Sequence, residues 1–505
     1  MILVKTLAGL REVLRPVWSQ QTIGFVPTMG ALHAGHASLI NRARVETEFV
    51  VVSIFVNPLQ FAPNEDLENY PQKLERDYSL CESLGVDVIF APTPDEMYNS
   101  TETVEIVPPK SMTNGLCGQF RPGHFTGVAT IVVKLLQLVR PTTAYFGEKD
   151  AQQLAIIRKL VADLYLPVTI CGCSIVRDES GLALSSRNQY LNDTEKRQAI
   201  ALSQALQSAQ SLFATGEKSA KKLITAAKTV LDQFPTVNLQ YLALVHPVTL
   251  QPLTEITQSG LLAIAAHVGQ TRLIDNVMLK NRQPIIAIDG PAGAGKSTVT
   301  RRVADQLNLL FLDTGAMYRA IAYLALANQI DPQNAVAVAE LVSTATIELK
   351  PSTQADQPTQ VLANGQDVTK EIRSPAVTAQ VSAIAAQAAV REALVTQQQK
   401  MGEAGGIVAE GRDIGTHVFP DAELKIFLTA TPAERARRRA KDLEAQGHTN
   451  INLAELEAAI SERDRLDSTR EIAPLKKAAD AFELITDGMT IDAVVAKILQ
   501  LYKAL

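Results

Sequence analysis

Short apolar runs alternate with longer stretches of helical periodicity along the whole chain. In the first half the runs at residues 22–27, 49–56, 86–90 and 144–146 are continuous, as expected of strands buried on both faces. A second set follows at 285–289, 407–409 and 424–428. Short strands separated by helices predict parallel α/β sheets, and two sets predict two sheets. Between them, residues 192–234 are rich in Ala, Leu, Gln and Lys and predict helices. Strand-like 239–245 and 262–266 come next, so a small α+β subdomain is expected to close the first half. Asn281-Arg-Gln-Pro284 is a polar junction before the second set. The expected domains are therefore 1–190, 191–281 and 283–505, closely tethered. Residues 351–360 are compositionally loose and predict a surface loop.

Composition narrows the class. A length of 505 residues suits about three domains. A hydrophobic share of 46% leaves ample core, and a net charge of −5 argues against nucleic acid and anionic membrane surfaces as partners. No apolar run approaches the ~20 residues of a membrane span. The start, Met1-Ile-Leu-Val-Lys-Thr, lacks the pattern of a signal peptide. The four cysteines are Cys81, Cys117, Cys171 and Cys173. Cys171 and Cys173 are expected on opposite faces of a strand, and no Cys or His set completes a zinc site. Reduced thiols in a cytoplasmic protein are the expectation.

The strongest chemical signal is late. Gly290-Pro-Ala-Gly293-Ala-Gly295-Lys296-Ser297-Thr298 fits G-x-x-x-x-G-K-[ST] and sits between a predicted strand and a predicted helix. In that context backbone N–H groups close on phosphates, Lys296 reaches the outer phosphates, and the Ser297 hydroxyl can ligate Mg²⁺. Such a loop normally follows the first strand of its domain, so a second protein unit begins near residue 283.

Earlier, Met29-Gly30-Ala-Leu-His33-Ala-Gly-His36 follows the first long apolar strand, with a helix expected from near Ser38. Two imidazoles near a helix N-terminus can donate hydrogen bonds to phosphate oxygens as charge develops. A metal site is the competing reading, but no third ligand stands nearby. Arg121-Pro-Gly-His124 lies in a Gly- and Pro-rich loop and reads equally as a lid or as an ordinary surface loop. No Cys or Ser motif offers a covalent route.

Further motifs follow later strands: Val56-Asn57-Pro-Leu-Gln60-Phe, Gly147-Glu-Lys149-Asp150-Ala-Gln-Gln153 and Leu184-Ser185-Ser186-Arg187-Asn188. With the His-x-x-His segment, this set resembles pantothenate synthetase (pantoate–β-alanine ligase) over about residues 1–280. The resemblance implies a Rossmann-like nucleotidyl-transferase fold and ATP-dependent joining of pantoate and β-alanine through pantoyl adenylate. It implies that Met29, Gly30, His33 and His36 line the ATP phosphates, with His36 catalytic and His33 its partner. Gly147, Lys149, Asp150 and Val176 would hold the nucleotide, with Lys149 on phosphate. Leu184, Ser185, Ser186 and Arg187 would clamp the triphosphate, while Gln60, Gln153 and Asn57 would hold pantoate. A homodimer through this half is also implied.

In the second half no Asn-Lys-x-Asp motif points to a GTPase. Leu312-Asp-Thr314-Gly-Ala-Met-Tyr-Arg319, Gly411-Arg412-Asp413-Ile-Gly, Arg435-Ala-Arg-Arg438-Arg439 and Glu462-Arg463-Asp-Arg-Leu-Asp467-Ser-Thr-Arg470 suit a second phosphate and an arginine-rich lid. A basic helical run in an acidic chain is otherwise a solvated face. Asn364-Gly365 is a hairpin signal, and one long Ala/Gln-rich helical stretch is expected after it. Together these resemble bacterial cytidylate kinase, a P-loop nucleoside monophosphate kinase fold, across about residues 283–505. The resemblance implies an enlarged insert at about 345–400 and a lid at about 431–470. Gly290, Gly293, Gly295, Lys296, Ser297 and Thr298 would bind ATP. Ser382, Arg391 and Asp413 would read cytosine in CMP or dCMP. Arg463 and Asp467 would hold the ribose, and Thr314, Arg319, Arg412 and Arg470 the acceptor phosphate. Arg435, Arg438 and Arg439 would belong to the lid. The expectation is one chain carrying two enzymes. A chain with one degenerate half, or a nucleotide-sensing scaffold, would predict lost catalytic groups, and His36, Lys149 and Lys296 are all present.

Overall fold

Six strands between residues 2 and 173 pair side by side: β1 (Ile2–Val4), β2 (Ile23–Thr28), β3 (Phe49–Ile54), β4 (Val88–Phe90), β5 (Thr143–Gly147) and β6 (Thr169–Cys173). Their order is β1-β4-β3-β2-β5-β6, parallel throughout. The computed structural model describes residues 1–61, 67–68, 70–98, 102–350, 359–445, 451–469 and 474–503. Continuous apolar strands demand cover on both faces. On one face Phe25, Val51, Val88 and Ala144 pack with Leu10, Val128, Val132 and Ile156 from helices Leu7–Leu14, His124–Val139 and Ala151–Asp163. On the other, Val26, Val50, Val52 and Ile89 pack with Ile40 and Ala43 of helix Ala34–Glu46. The strand order reverses between β2 and β5, where an open α/β sheet forms a ligand crevice at its carboxyl ends.

A three-stranded antiparallel meander follows: β7 (Val237–Val245), β8 (Ser259–Val268) and β9 (Thr271–Lys280). Its alternation places Leu262, Ile264 and Ala266 against helices Asp193–Ala214 and Ala220–Leu231, and Leu261 and Ala263 against the first core. The longer helix starts with a capping box: Asn192 Oδ1 accepts the Glu195 N–H at 2.9 Å, and Glu195 returns an acceptor to the Asn192 N–H at 2.9 Å.

The chain divides into two compact units, Met1–Asn281 and Arg282–Leu505. The second holds β10 (Gln283–Asp289), β11 (Leu310–Asp313), β12 (Ile347–Lys350), β13 (Gln360–Ala363), β14 (Gln366–Asp367), β15 (Gly405–Gly411), β16 (Leu424–Thr429) and β17 (Phe482–Ile485). Five make a parallel sheet in the order β11-β15-β10-β16-β17. The other three form a separate antiparallel sheet. Its β13–β14 turn uses Asn364 (φ 50°) and Gly365 (φ 80°), both left-handed, as a two-residue hairpin of this type requires.

Four expectations need correction. The helix expected near Ser38 starts at Ala34, because His33 caps it. Cys171 and Cys173 share a face, since strand residues two apart point the same way, and both pack beside Arg42. The small subdomain has a third strand, β9, hidden by its many polar residues. The helical stretch after the hairpin is two helices, Pro375–Ala385 and Ala388–Gly402. Most of the loop at 351–360, and Arg470, lie outside the described residues.

Candidate active sites

The first site grows from the end of β2. The chain turns through Gly30 (φ 84°) and Ala31 (φ 50°). A non-glycine residue in the left-handed region needs outside support. Asp77, from helix Leu74–Ser83, supplies it: its two oxygens accept the N–H groups of Ala31 and Leu32 at 2.8 Å each. Asp77 is 1% exposed, and burial raises its pKa against the lowering pull of those bonds.

The turn delivers His33 and His36 with their ring centroids 4.1 Å apart. His33 Nδ1 accepts the Gly35 N–H at 3.1 Å, and His36 Nδ1 accepts the His33 N–H at 3.4 Å. With Nδ1 an acceptor, each neutral ring carries its proton on Nε2. Burial, then the charge of Lys149, lowers His33 to about 4. Burial, then His33, lowers His36 to about 3. At neutral pH both are uncharged donors at a helix N-terminus.

Lys149 sits on the turn Glu148–Asp150 that follows Gly147 at the end of β5. Asn276 of β9 holds that turn, donating to the carbonyls of Glu148 and Lys149 at 2.9 Å each. Lys149, Asp150, Gln153, Ser185 and Arg187 line one cavity. Ser185 Oγ accepts the Arg187 N–H at 3.3 Å, and Ser186 Oγ is 3.2 Å from the Tyr70 hydroxyl. The Leu184 N–H donates to the Val176 carbonyl at 2.9 Å, linking the two nucleotide-side segments.

Gln60 ends the turn Pro58–Gln60, which lies on helix His124–Val139 at Gly127. A Cβ at Gly127 would fall 2.1 Å from the Leu59 carbonyl oxygen, so only glycine permits this approach. Asn57 is placed differently from Gln60. It is 1% exposed, its Nδ2 donates to the Gly127 carbonyl at 3.0 Å, and its Oδ1 accepts from the Tyr98 hydroxyl at 2.7 Å. It supports the turn from beneath. The Arg121–His124 segment is tied to the same turn: His124 Nδ1 donates to the Gln60 carbonyl at 2.8 Å, and Arg121 donates to it at 3.3 Å.

The second site stands on β10, β11 and β15. Register pairs Asp289 with Gly411, and Asp313 with Glu410, so three strand ends meet. Gly293 and Gly295 take left-handed φ of 76° and 85°, and a Cβ at Gly290 would lie 1.9 Å from the Leu428 carbonyl oxygen. Asp289 accepts the N–H groups of Ile414 and Gly415 at 2.7 Å each, fixing the turn after Asp413. Burial raises Asp289 to about 6. Lys296 Nζ donates to the carbonyls of Gly290 and Pro291 at 2.7 and 2.8 Å. Burial, then the charge of Arg412, lowers it to about 7. Ser297 Oγ donates to Glu410 Oε1 at 2.7 Å, while Glu410, raised to about 7 by burial, has no hydrogen-bond partner at Oε2.

A cavity of about 1060 Å³ brings together Gly293, Gly295, Lys296, Ser297, Thr298, Thr314, Arg319, Ser382, Arg391, Arg412, Asp413, Arg438, Arg463 and Asp467. Arg391 pairs with Asp413, and Arg412 with Asp467 at 3.0 Å. Thr314 Oγ1 donates to the Glu410 carbonyl at 2.7 Å, and Arg319 pairs with Asp313 at 3.0 Å. The arginine helix Pro432–Ala445 splits by face. Arg435 is buried, donating to the Ala292 carbonyl at 3.0 Å and pairing with Asp464. Arg438 reaches the cavity and donates to the Thr486 carbonyl at 2.7 Å. Arg439 is exposed and stands outside the cavity.

Asp77, Gly127, Asn276 and Asp289 shape these sites without having drawn notice in the sequence. Each acts on backbone far from itself along the chain. Residue type alone carries no sign of that, although Asp289 at a strand end before a glycine loop was the nearest to one.

Two family models match the chain in succession: pantoate-beta-alanine ligase over residues 2–278 and cytidylate kinase over residues 286–504. The bifunctional pantoate ligase/cytidylate kinase of Synechocystis sp. is 60% identical over 504 residues, 99% of this chain and 98% of that protein. Its counterpart in Synechococcus elongatus is 58% identical over 488 residues, 96% of this chain and 92% of that protein. The crystal structure of pantothenate synthetase from Thermus thermophilus superposes with a TM-score of 0.54 at 44% identity, covering 55% of this chain and 100% of that one. Two site constellations, two family matches and fused relatives of nearly the same length agree, and the chain belongs to the bifunctional pantoate ligase/cytidylate kinase family.

Proposed function

We propose that each unit carries out its own ATP-dependent reaction with the residues assembled at its sheet ends. The observation that carries this reading is that each compact unit holds a constellation of its own: in the first the His33–His36 pair and a cavity lined by Lys149, Asp150, Gln153, Ser185 and Arg187, in the second the cavity around Lys296. In the first reaction a pantoate carboxylate oxygen attacks the α-phosphorus of ATP. The bond to the β-phosphate oxygen breaks, and pyrophosphate leaves. The β-alanine nitrogen then attacks the acyl carbon of pantoyl adenylate, AMP leaves, and the nitrogen gives up a proton. In the second reaction a CMP or dCMP phosphate oxygen attacks the γ-phosphorus of ATP, and ADP leaves.

In the ligase unit, Nε2–H of His36 and of His33 would donate to phosphate oxygens as charge develops. Lys149 and Arg187 would neutralise the same group, and the Ser185–Ser186 turn would hold the triphosphate. Met29, Gly30, Gly147, Asp150, Val176 and Leu184 would enclose the nucleotide. Gln60 and Gln153 would orient pantoate by neutral amides, with Asn57 acting through the Gln60 turn. In the kinase unit, Lys296 would exchange its two loop carbonyls for phosphate oxygens. Arg412, Arg319 and Thr314 would hold the acceptor phosphate, Arg391 and Asp413 the base, and Arg463 and Asp467 the ribose. The segment around Arg438 would close as a lid, with Arg435 positioning the glycine loop.

Mg²⁺ fits the kinase unit. Ser297 Oγ lies beside a buried carboxylate whose Oε2 is unpartnered, so hard oxygen donors face the phosphate side of the loop. When bound there with ATP, the ion supplies neutralisation of the phosphate charge. A homodimer through the ligase unit and a cytoplasmic location belong to the same reading. No helix among the described residues is long and apolar enough to cross a membrane.

The test is two assays on one purified chain, pantoate plus β-alanine and CMP, each with ATP. His36→Ala is expected to lower pantothenate formation by about 10²–10³ and leave CMP phosphorylation intact, and Lys296→Ala to do the reverse. Loss of both activities from either folded variant would overturn the two-site reading.

A further inference from the structure

The ligase cavity holds a cation that the reading above leaves unused. Arg272 of β9 lines it together with Lys149, Gln153 and Arg187. Its guanidinium donates to Gln240 Oε1 at 2.9 Å and to Cys117 Sγ at 3.3 Å. Both acceptors are neutral. Another cation of this region, Arg177, is by contrast matched two-pronged by Asp275 at 2.6 and 2.9 Å. A guanidinium held in place by neutral acceptors keeps its charge available for a carboxylate, and its planar fork suits that group.

Its position is anchored to the reacting end. Gln152 is 6% exposed and accepts the Cys117 N–H at 2.9 Å, while its Nε2 donates to the carbonyls of Met112 and Gly115 at 2.9 and 3.0 Å. Gln152 therefore locks the Cys117 segment, and through it Arg272, against the helix whose next residue is Gln153. From the other side Asn276, four residues along β9 or about 13 Å by strand rise, holds the carbonyl of Lys149. Arg272, Lys149 and Gln153 thus line one cavity, where a short ω-amino acid with amine and carboxylate two methylene groups apart would lie.

We propose that Arg272 binds the carboxylate of β-alanine and so directs its amine to the acyl adenylate. This rests on the ligase reading, and it adds the determinant that selects an amino acid over a simple amine. Gln240 and Cys117 are positioning residues for the guanidinium.

The experiment uses the full chain with Arg272→Gln and Arg272→Lys. Pantoate-dependent exchange of labelled pyrophosphate into ATP reports adenylation, and pantothenate formation at varied β-alanine reports the second step. In Arg272→Gln the expected result is exchange within about 3-fold of the parent and a β-alanine KM raised about 100-fold, as for loss of a charge-assisted contact. Turnover of β-alaninamide, which lacks the charge, should be the same in parent and variant. Arg272→Lys should recover part of the KM. An unchanged β-alanine KM with exchange intact would overturn the proposal. Loss of exchange alongside normal CMP phosphorylation would also overturn it, by placing Arg272 in adenylation or in the fold of its unit. Absence of exchange in the parent would instead sink the ligase reading, and this proposal with it.

Discussion

His33 and His36 each commit Nδ1 to a backbone N–H, at 3.1 and 3.4 Å, and so both present Nε2–H. This fixes which atom can act on phosphate. A glutamine amide nitrogen reaches about as far as Nε2, an asparagine amide about as far as Nδ1. His36→Gln should therefore retain several-fold more ligase activity than His36→Asn, measured as kcat/KM for pantoate.

The pH behaviour of the pair follows from the same geometry. An imidazole of ordinary pKa 6.5 gains charge as pH falls to 5.5. His33 and His36, lowered to about 4 and about 3, stay neutral there. Pyrophosphate exchange should show no loss from imidazole protonation between pH 7.5 and 5.5. The unfolded chain, with ordinary histidines, binds more protons than the folded one between about 6.5 and 4, so this pair makes the ligase unit less stable as pH falls through that window.

Asp77 carries the turn that presents both histidines. Asp77→Ala would strand two N–H groups, each costing about 1–3 kcal/mol when buried. The ligase unit should lose about 2–5 kcal/mol, and Asp77→Asn, which keeps one acceptor, roughly half. The single tryptophan, Trp18, lies in this unit and donates to the Val139 carbonyl at 2.8 Å. Its fluorescence through urea unfolding reads the effect without contribution from the kinase unit.

Gly127→Ala would drive a methyl into the Leu59 carbonyl oxygen, 2.1 Å from its ideal position. The turn bearing Gln60 must shift. KM for pantoate should rise about tenfold or more, since misplacement of a positioning group by about 1 Å is costly, while CMP phosphorylation is unaltered. An unchanged pantoate KM would remove Gln60 from substrate contact.

Arg391 and Asp413 form a buried pair, 3% and 6% exposed, on the wall of the kinase cavity. A carboxylate accepts from the cytosine amino group and offers nothing to the carbonyl of uracil. Asp413→Asn can turn its amide either way. The ratio of kcat/KM for CMP over UMP should fall about 10–100-fold, the value of one buried hydrogen bond of about 1–3 kcal/mol.

Local chemistry was legible. The glycine loop with Lys296, and His33 with His36, were recognisable from spacing after a strand, although the helix expected near Ser38 starts at Ala34 and the charge around both comes from distant Lys149 and Arg412. Buried apolar strands β2, β3, β10, β15 and β16 were equally plain, because cover on both faces leaves no polar alternation. The polar strand β9 and the edge strands β1 and β17 were not, since three- or four-residue pieces and mixed faces give weak periodicity. Nor was the distinction between Gln60, at the end of its turn, and Asn57 beneath it, or between Arg438 and Arg439 on adjacent positions of one helix.

The sequence by itself determined that two unlike motif sets, His33 with His36 and the glycine loop with Lys296, stand on one chain. Tertiary structure alone decided how each is held. Asp77 acts across 46 residues, Asn276 across 127 and Arg272 across 155. Hydrogen bonds to distant backbone, or to a distant sulfur, depend on which surfaces the sheets bring together, and no spacing along the chain encodes them.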